Sequence, residues 1–193
     1  MPNEHPAPII LASASPRRRQ LLSEAGYVFT VVQPDVDESA FSTVGITASA
    51  YAKKLALAKA KNVAERYPDS VVIGADTVVD SRGQIIGKPA DAKDAQRITM
   101  RLFSSPHKVI TGLAIVRFCD NTEVIRSDST TVYPKPMTAE QIAEHIRGGS
   151  WRDKAGAYAI QETGDEFVEK IEGSLTNVMG LPMELLESLL AGL

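Results

Sequence analysis

The sequence predicts an α/β fold in which helices alternate with the strands of a central, partly antiparallel sheet. Three observations carry that prediction. Short apolar runs bounded by turn residues alternate with longer helical patterns along the whole chain. Two long β-rich stretches, Lys108 to Phe118 and Glu123 to Tyr133, flank the turn at Cys119 to Thr122 and suggest an antiparallel pair. No internal repeat, low-complexity tract or long linker divides the sequence, so residues 1–193 are expected to form a single domain.

The elements follow in order. Ile9 to Ala12 reads as a short buried strand. A helix then begins where Ser15 can cap it and Pro16 suits the first turn, and Gly26 marks its stop. The loop Gln33 to Ser39 leads to a long alanine-rich helix from about Thr47 to Arg66. Val71 to Ala75 is the strongest candidate for a buried strand, and Ser81 to Gln84 reads as a hairpin turn towards Ile85 and Ile86. A helix is expected over Ala92 to Phe103, before the antiparallel pair. Thr138 with Gln141 three residues on is a capping box for a helix ending near Gly148. After a glycine-punctuated stretch from Asp153 to Gly180, Pro182 opens a closing amphipathic helix.

Composition excludes several function classes. The chain has 193 residues, 44% hydrophobic and 23% charged, and a domain of that size hides roughly 70% of the surface its unfolded chain exposes. A net charge of -3 argues against a general nucleic-acid binder, so any basic site is local. The single cysteine, Cys119, rules out an intramolecular disulfide framework and reads as a small residue in a turn or strand end, while the three histidines lack metal-ligand spacing. The first twenty residues have no long apolar segment, and no run approaches the ~18 residues a membrane span needs. A soluble cytoplasmic protein without nucleic-acid or membrane partners is expected.

Against that acidic background the run Arg17-Arg18-Arg19 stands at a predicted helix start. The turn from Ser13 to Arg18 offers unpaired N–H groups and the positive end of a helix dipole, a ready anion site. Cations are disfavoured there unless an anion is present. Consecutive helical residues point about 100° apart, so all three arginines cannot face one ligand. Asp76 directly follows Val71 to Ala75, which places a carboxylate at the carboxyl end of a strand, where open α/β sheets keep their ligand crevices; it equally suits an ordinary strand end. Asp35, Asp37 and Glu38 form an acidic loop cluster, open to a hard divalent cation or to solvent. Lys88 lies in Gly87-Lys88-Pro89, and the surrounding GQIIGKP is not a P-loop, since its glycine spacing is one short and no Ser or Thr follows the lysine. Helix geometry puts Lys59 on the face of Ala48, Ala52, Leu55 and Val63, away from Lys53, Lys54 and Lys61. There it either snorkels or reaches into a polar cleft. Lys154 and Gln161 lie downstream, and a glutamine amide can read a base edge; Trp151, Tyr158 and Phe167 read as packing residues.

These pieces together resemble the Maf family of nucleoside triphosphate pyrophosphatases. The resemblance rests on Leu11 to Arg18, Asp37-Glu38, Lys59-Ala60, Gly74 to Val79, Gly87 to Pro89, Asp153 to Gln161 and Ile171 to Pro182, in that order along nearly the whole chain. It implies an elongated α/β fold around a central mixed sheet, with a substrate cleft between two lobes, and commonly a homodimer. It also implies hydrolysis of a nucleoside triphosphate to the monophosphate and pyrophosphate with a divalent metal, Mg²⁺ or Mn²⁺.

By the same resemblance Asp76 and Lys88 are expected to be catalytic, Ser13, Arg17, Arg18 and Lys59 to bind substrate, and Glu38 with Asp76 to hold the metal. Arg17, Thr77 and Gln161 occupy the positions that sort substrates, and this combination resembles the branch acting on dTTP and UTP, with modified pyrimidine nucleotides as further candidates. The branch preferring 7-methyl-GTP has tryptophan, glutamine and glutamate there. Ala159 departs from the glycine often found in the family, and Arg19, at a variable position, is expected to face water. The alternatives are a nucleotide-binding regulator of septum formation and a 7-methyl-GTP pyrophosphatase.

Overall fold

The computed structural model describes residues 5–152, 154–158, 160 and 165–193. The elements run β1 (Ile9–Ala12), α1 (Pro16–Glu24), β2 (Phe29–Val32), a 3₁₀ turn (Glu38–Ala40), α2 (Ala48–Ala64), β3 (Val71–Ser81), β4 (Gln84–Ile86), α3 (Ala92–Leu102), β5 (His107–Arg117) and β6 (Thr122–Pro134). They continue with α4 (Ala139–Gly148), a second 3₁₀ turn (Ala155–Ala157), α5 (Asp165–Phe167), β7 (Val168–Glu172), α6 (Leu175–Met179) and α7 (Met183–Leu190). One mixed sheet holds the strands in the order β2-β1-β3-β5-β6-β7, with β4 beside β3. The β2-β1-β3 part is parallel and the rest is antiparallel, which agrees with the mixed α/β class expected.

Asp76 is not at the end of a strand. β3 continues to Ser81, because Thr77-Val78-Val79 extends the β-branched run and pairs across to Thr111, Ile110 and Val109 of β5. What ends near Asp76 is its neighbour. β1 stops at Ala12, opposite Gly74, and β4 joins β3 only from Val79, so among the described residues no strand covers residues 75–78 on that side. The gap does the work that a strand terminus does in an open parallel sheet: it leaves polar groups at a crevice.

The two sheet faces are packed differently. Even-numbered β3 residues point to α2, where Val72 meets Ala56, Ala60 and Val63, and Val78 meets Ala48 and Ala52. Two glycines let this helix lie low. A Cβ on Gly74 would fall 2.3 Å from the Ala56 carbonyl oxygen, and one on Gly112 would fall 2.3 Å from that of Ala52. The opposite face carries two separate clusters. One joins β1, β3 and β5 to α1 and α7 through Leu11, Leu22, Ile73, Leu113, Leu181 and Leu186. The other joins Val79 and Val109 to α3, Phe103, Trp151 and Tyr158. Each fully buried leucine contributes about 1.5–3 kcal/mol by leaving water, and the interval between the clusters opens as the cleft.

Local signals set most boundaries. Thr47 accepts a hydrogen bond from the Ala50 N–H at the start of α2, and Thr138 and Gln141 form both bonds of the predicted capping box. Ser15 holds the N-cap position of α1 in extended conformation, but its side chain makes no capping bond. Ser13 Oγ instead accepts from the Ser15 N–H at 3.1 Å. Cys119 is exposed in the β5–β6 turn. Among the described residues no helix is long and apolar enough to cross a membrane.

Candidate active site

The cleft measures about 720 Å³ and is lined from both sides of the gap beside β3. One wall comes from Ser13 to Arg18 and Gly180, the other from Lys88, Arg152, Lys154 and Tyr158, with Lys59, Asp76 and Thr77 between them. Six cationic side chains line it against two carboxylates, in a chain whose net charge is -3. That local surplus is the setting in which a polyanion is attracted and held.

Alternation along β3 separates Asp76 from Thr77. Asp76 faces α2, and Lys59, projecting from that helix, places Nζ 2.7 Å from Asp76 Oδ1 and 2.7 Å from Glu38 Oε1. Lys59 is 8% and Asp76 7% exposed, so this lysine reaches a polar site and does not snorkel to solvent. Glu38 begins the first 3₁₀ turn, where Asp37 caps by accepting bonds from Ser39 N and Oγ at 3.0 and 2.6 Å. Asp35 and Asp37 are exposed. Of the acidic loop cluster only Glu38 lines the cleft, with Lys88 Nζ 3.8 Å from its Oε2.

The two carboxylates have opposite electrostatics. Burial pushes the Asp76 pKa above the ordinary aspartate value, with Glu38 adding to the rise and Lys59 and Arg18 opposing it. Burial also pushes on Glu38, but the Lys59 hydrogen bond and the charges of Lys59, Lys88 and Arg18 outweigh it and hold Glu38 below the ordinary value. Carboxylates driven apart in this way suit different tasks, one exchanging a proton and one staying anionic.

Thr77 faces the other way and meets Arg18. Arg18 Nε donates to the Gly180 carbonyl at 2.7 Å, Nη2 to Thr77 Oγ1 at 3.1 Å and Nη1 to Ser13 Oγ at 3.4 Å. Burial lowers the Arg18 pKa, Asp76 opposes that, Arg17 reinforces it and Glu38 opposes it again. Gly180 closes α6 at φ +107°, a conformation strained for any side chain, although a Cβ there would make only ordinary contacts, 3.4 Å from Thr77 Oγ1 and 3.5 Å from Arg18 Nε.

The cleft therefore brings together Ser13, Arg17, Arg18, Glu38, Lys59, Asp76, Thr77 and Lys88. Arg19 is exposed, as expected. Gln161 lies outside the described residues, as do Asp153 and Ala159 of the same motif. Trp151 and Tyr158 are buried and Phe167 packs beside them; Tyr158 also lines the cleft and its hydroxyl lies 2.8 Å from His107 Nε2. Sequence reasoning missed Arg152, which lines the cleft with its guanidinium 5.0 Å from the centre of the Trp151 ring. The basic stretch Arg152 to Lys154 carried the signal, but no periodicity showed which way it faced.

The hard oxygen donors in the cleft are Glu38 and Asp76. Among the described residues no group of three or more His, Cys, Asp or Glu side chains could hold a metal. Mg²⁺ commonly binds through one or two carboxylates and completes its shell with water and phosphate oxygens, and this pair fits that pattern.

Residues 8–193 match the family described as Maf-like protein. The chain is 47% identical over 175 residues to the dTTP/UTP pyrophosphatase of Geotalea uraniireducens, covering 91% of this chain and 89% of the relative. It is 45% identical over 175 residues to the dTTP/UTP pyrophosphatase of Citrifermentans bemidjiense, covering 91% and 90%. Among solved structures, the Staphylococcus aureus Ham1 protein shares the fold, with a TM-score of 0.52 at 13% identity over 95% of this chain and 98% of that one.

Proposed function

The chain belongs to the Maf family, and from that premise we propose that it is a nucleoside triphosphate pyrophosphatase acting on dTTP and UTP. The observation that carries this reading is the cleft itself: a surplus of four positive charges around two carboxylates, one of them buried with a raised pKa. A triphosphate brings about the opposite charge.

In this reading Asp76 is the general base. Its Oδ1 is held by Lys59, while Oδ2 makes no hydrogen bond among the described residues, and the raised pKa makes it a better proton acceptor than an ordinary aspartate. Asp76 takes a proton from water as the water oxygen bonds to the α-phosphorus. The bond from that phosphorus to the oxygen bridging it to the β-phosphorus breaks, and pyrophosphate leaves with the electron pair. Arg17, Arg18, Lys59 and Lys88 offset charge on the phosphates as it grows in the transition state. The first turn of α1 adds backbone N–H donors for a phosphate oxygen, while the N–H groups of Ser13 and Ser15 are taken by the Leu11 carbonyl and Ser13 Oγ. Glu38 and Asp76 would hold a divalent cation, Mg²⁺ or Mn²⁺, whose chemistry when bound is to polarise phosphate oxygens and neutralise the leaving pyrophosphate.

Arg17, Thr77 and Gln161 sort the substrate. The names of the relatives support dTTP and UTP, as does the absence of the tryptophan, glutamine and glutamate of the 7-methyl-GTP branch. The net charge of -3 supports a protein without nucleic-acid partners. A single catalytic domain, assembled as a homodimer and working in the cytoplasm away from the membrane, completes the reading by analogy with the family.

The test is a panel of common and modified nucleoside triphosphates with Mg²⁺ or Mn²⁺, scored by product. dTTP and UTP should be preferred, with pyrophosphate released. A strong preference for 7-methyl-GTP would overturn the roles given to Arg17, Thr77 and Gln161, and tight binding without turnover would favour a nucleotide-binding regulator.

A further inference from the structure

Behind Thr77 lies a hydroxyl that none of the roles above uses. Thr111 of β5 stands directly opposite Thr77 on the same sheet face, is fully buried, and places its Oγ1 2.9 Å from Thr77 Oγ1. The same Thr111 oxygen lies 3.0 Å from the carbonyl oxygen of Asn177. Asn177 is itself fully buried and pinned, its Nδ2 donating to the Val109 carbonyl and to Thr130 Oγ1, each at 3.0 Å.

Counting protons settles the direction of each bond. The Asn177 carbonyl, which also accepts from the Gly180 N–H at 3.0 Å, can only accept, and with Thr111 Oγ1 3.0 Å away it takes the single Thr111 hydroxyl proton, since the reverse would set lone pair against lone pair. Thr111 then has only lone pairs to offer Thr77, and the Thr77 hydroxyl must donate to Thr111. On its other side Thr77 accepts from Arg18 Nη2 at 3.1 Å. With its proton committed inward, Thr77 can present only a remaining lone pair to the cleft it lines.

We propose that Thr111 is a positioning residue that locks Thr77 as an acceptor, and that the cleft thereby selects bases carrying a ring N–H donor. Uracil and thymine have that donor at N3, whereas cytosine has a lone pair there. A freely rotating hydroxyl would serve both by turning its proton outward. The locked one faces cytosine N3 with lone pair against lone pair. This rests on the reading of Thr77 as a substrate sorter and adds the reason a threonine at that position discriminates within the pyrimidines.

The experiment compares kcat/KM for UTP and CTP in the unaltered protein and in Thr111→Val and Thr111→Ser. Valine keeps the shape and removes the acceptor, freeing the Thr77 proton. The UTP preference should fall about tenfold, the scale of one hydrogen bond to a group otherwise left unpaired, and serine should restore it. Thr111→Cys, whose sulfur accepts a hydrogen bond only weakly, is the second variant should valine not fold, with a smaller loss in the same direction. Equal losses on both substrates, with the ratio unchanged, would make Thr111 merely structural and overturn the inference. An unaltered protein that hydrolyses CTP as well as UTP would instead overturn the dTTP/UTP reading beneath it, an outcome visible before any variant is made.

Discussion

Lys59 is the residue on which the site's charge balance turns. Its ammonium is shared by Asp76 and Glu38 at 2.7 Å each. Replacing Lys59 with methionine would leave Asp76 as a buried carboxylate without that partner, a change that costs about 3–5 kcal/mol in comparable settings. Chemical denaturation should show that loss, and the double variant Lys59→Met/Asp76→Asn should regain part of it, since an amide carries no charge to strand. Asp76→Asn alone should lower kcat by roughly 10²–10⁴-fold, the usual contribution of a general base, while calorimetry with UTP finds binding largely retained. Near-normal turnover in that variant would remove Asp76 from the role of base.

At the scale of elements, β3 and α2 are fitted to one another through glycine. Gly74→Ala would drive a methyl group to 2.3 Å from the Ala56 carbonyl oxygen and 2.8 Å from the Ala60 amide nitrogen, both backbone atoms that cannot turn aside. Overpacking of this kind costs about 1–3 kcal/mol or more, and the displaced helix would carry Lys59 away from Asp76. Unfolding and turnover should therefore decline together, whereas Thr138→Ala, which removes a cap from the remote α4, should cost about 1 kcal/mol with turnover unchanged.

The same elements show what a linear sequence reveals. The capping box at Thr138, the hairpin at Ser81 to Gln84 and the paired β5 and β6 were all legible, because each is written in neighbouring residues. The alanine-rich face that placed Lys59 inward was legible for the same reason. The edge strands β2 and β7 were not: Phe29–Val32 and Val168–Glu172 expose much of both faces, so neither shows a long apolar run or a clean alternation. The length of β3 was hidden as well. Asp76 interrupts its apolar pattern, and only pairing with β5 carries the strand past that carboxylate. Arg152 joins the cleft through packing of distant segments, which no local spacing records.

For the whole molecule, the loss of stability in acid has a specific source in His107. This histidine is buried, bonded to Tyr158 across the cluster that joins α3 to the sheet, and burial holds its pKa below the model-peptide value of 6.5. It is neutral in the fold but gains a proton in the unfolded chain below that value. The unfolded state then binds more protons, so stability is complete above pH 6.5 and declines as the pH falls towards the lower folded pKa. Unfolding midpoints measured between pH 7.5 and 5 should show this slope, and His107→Gln should flatten it.

The charge pattern of the whole molecule, negative overall with a basic cleft, suits a triphosphate, and the proposed reaction is attack of water on its α-phosphorus with departure of pyrophosphate. Hydrolysis of dTTP and UTP in ¹⁸O-labelled water, with products resolved by phosphorus NMR and mass spectrometry, tests it most directly. The label should appear in dTMP and UMP, with unlabelled pyrophosphate as the other product. Label in pyrophosphate, or release of orthophosphate, would contradict it.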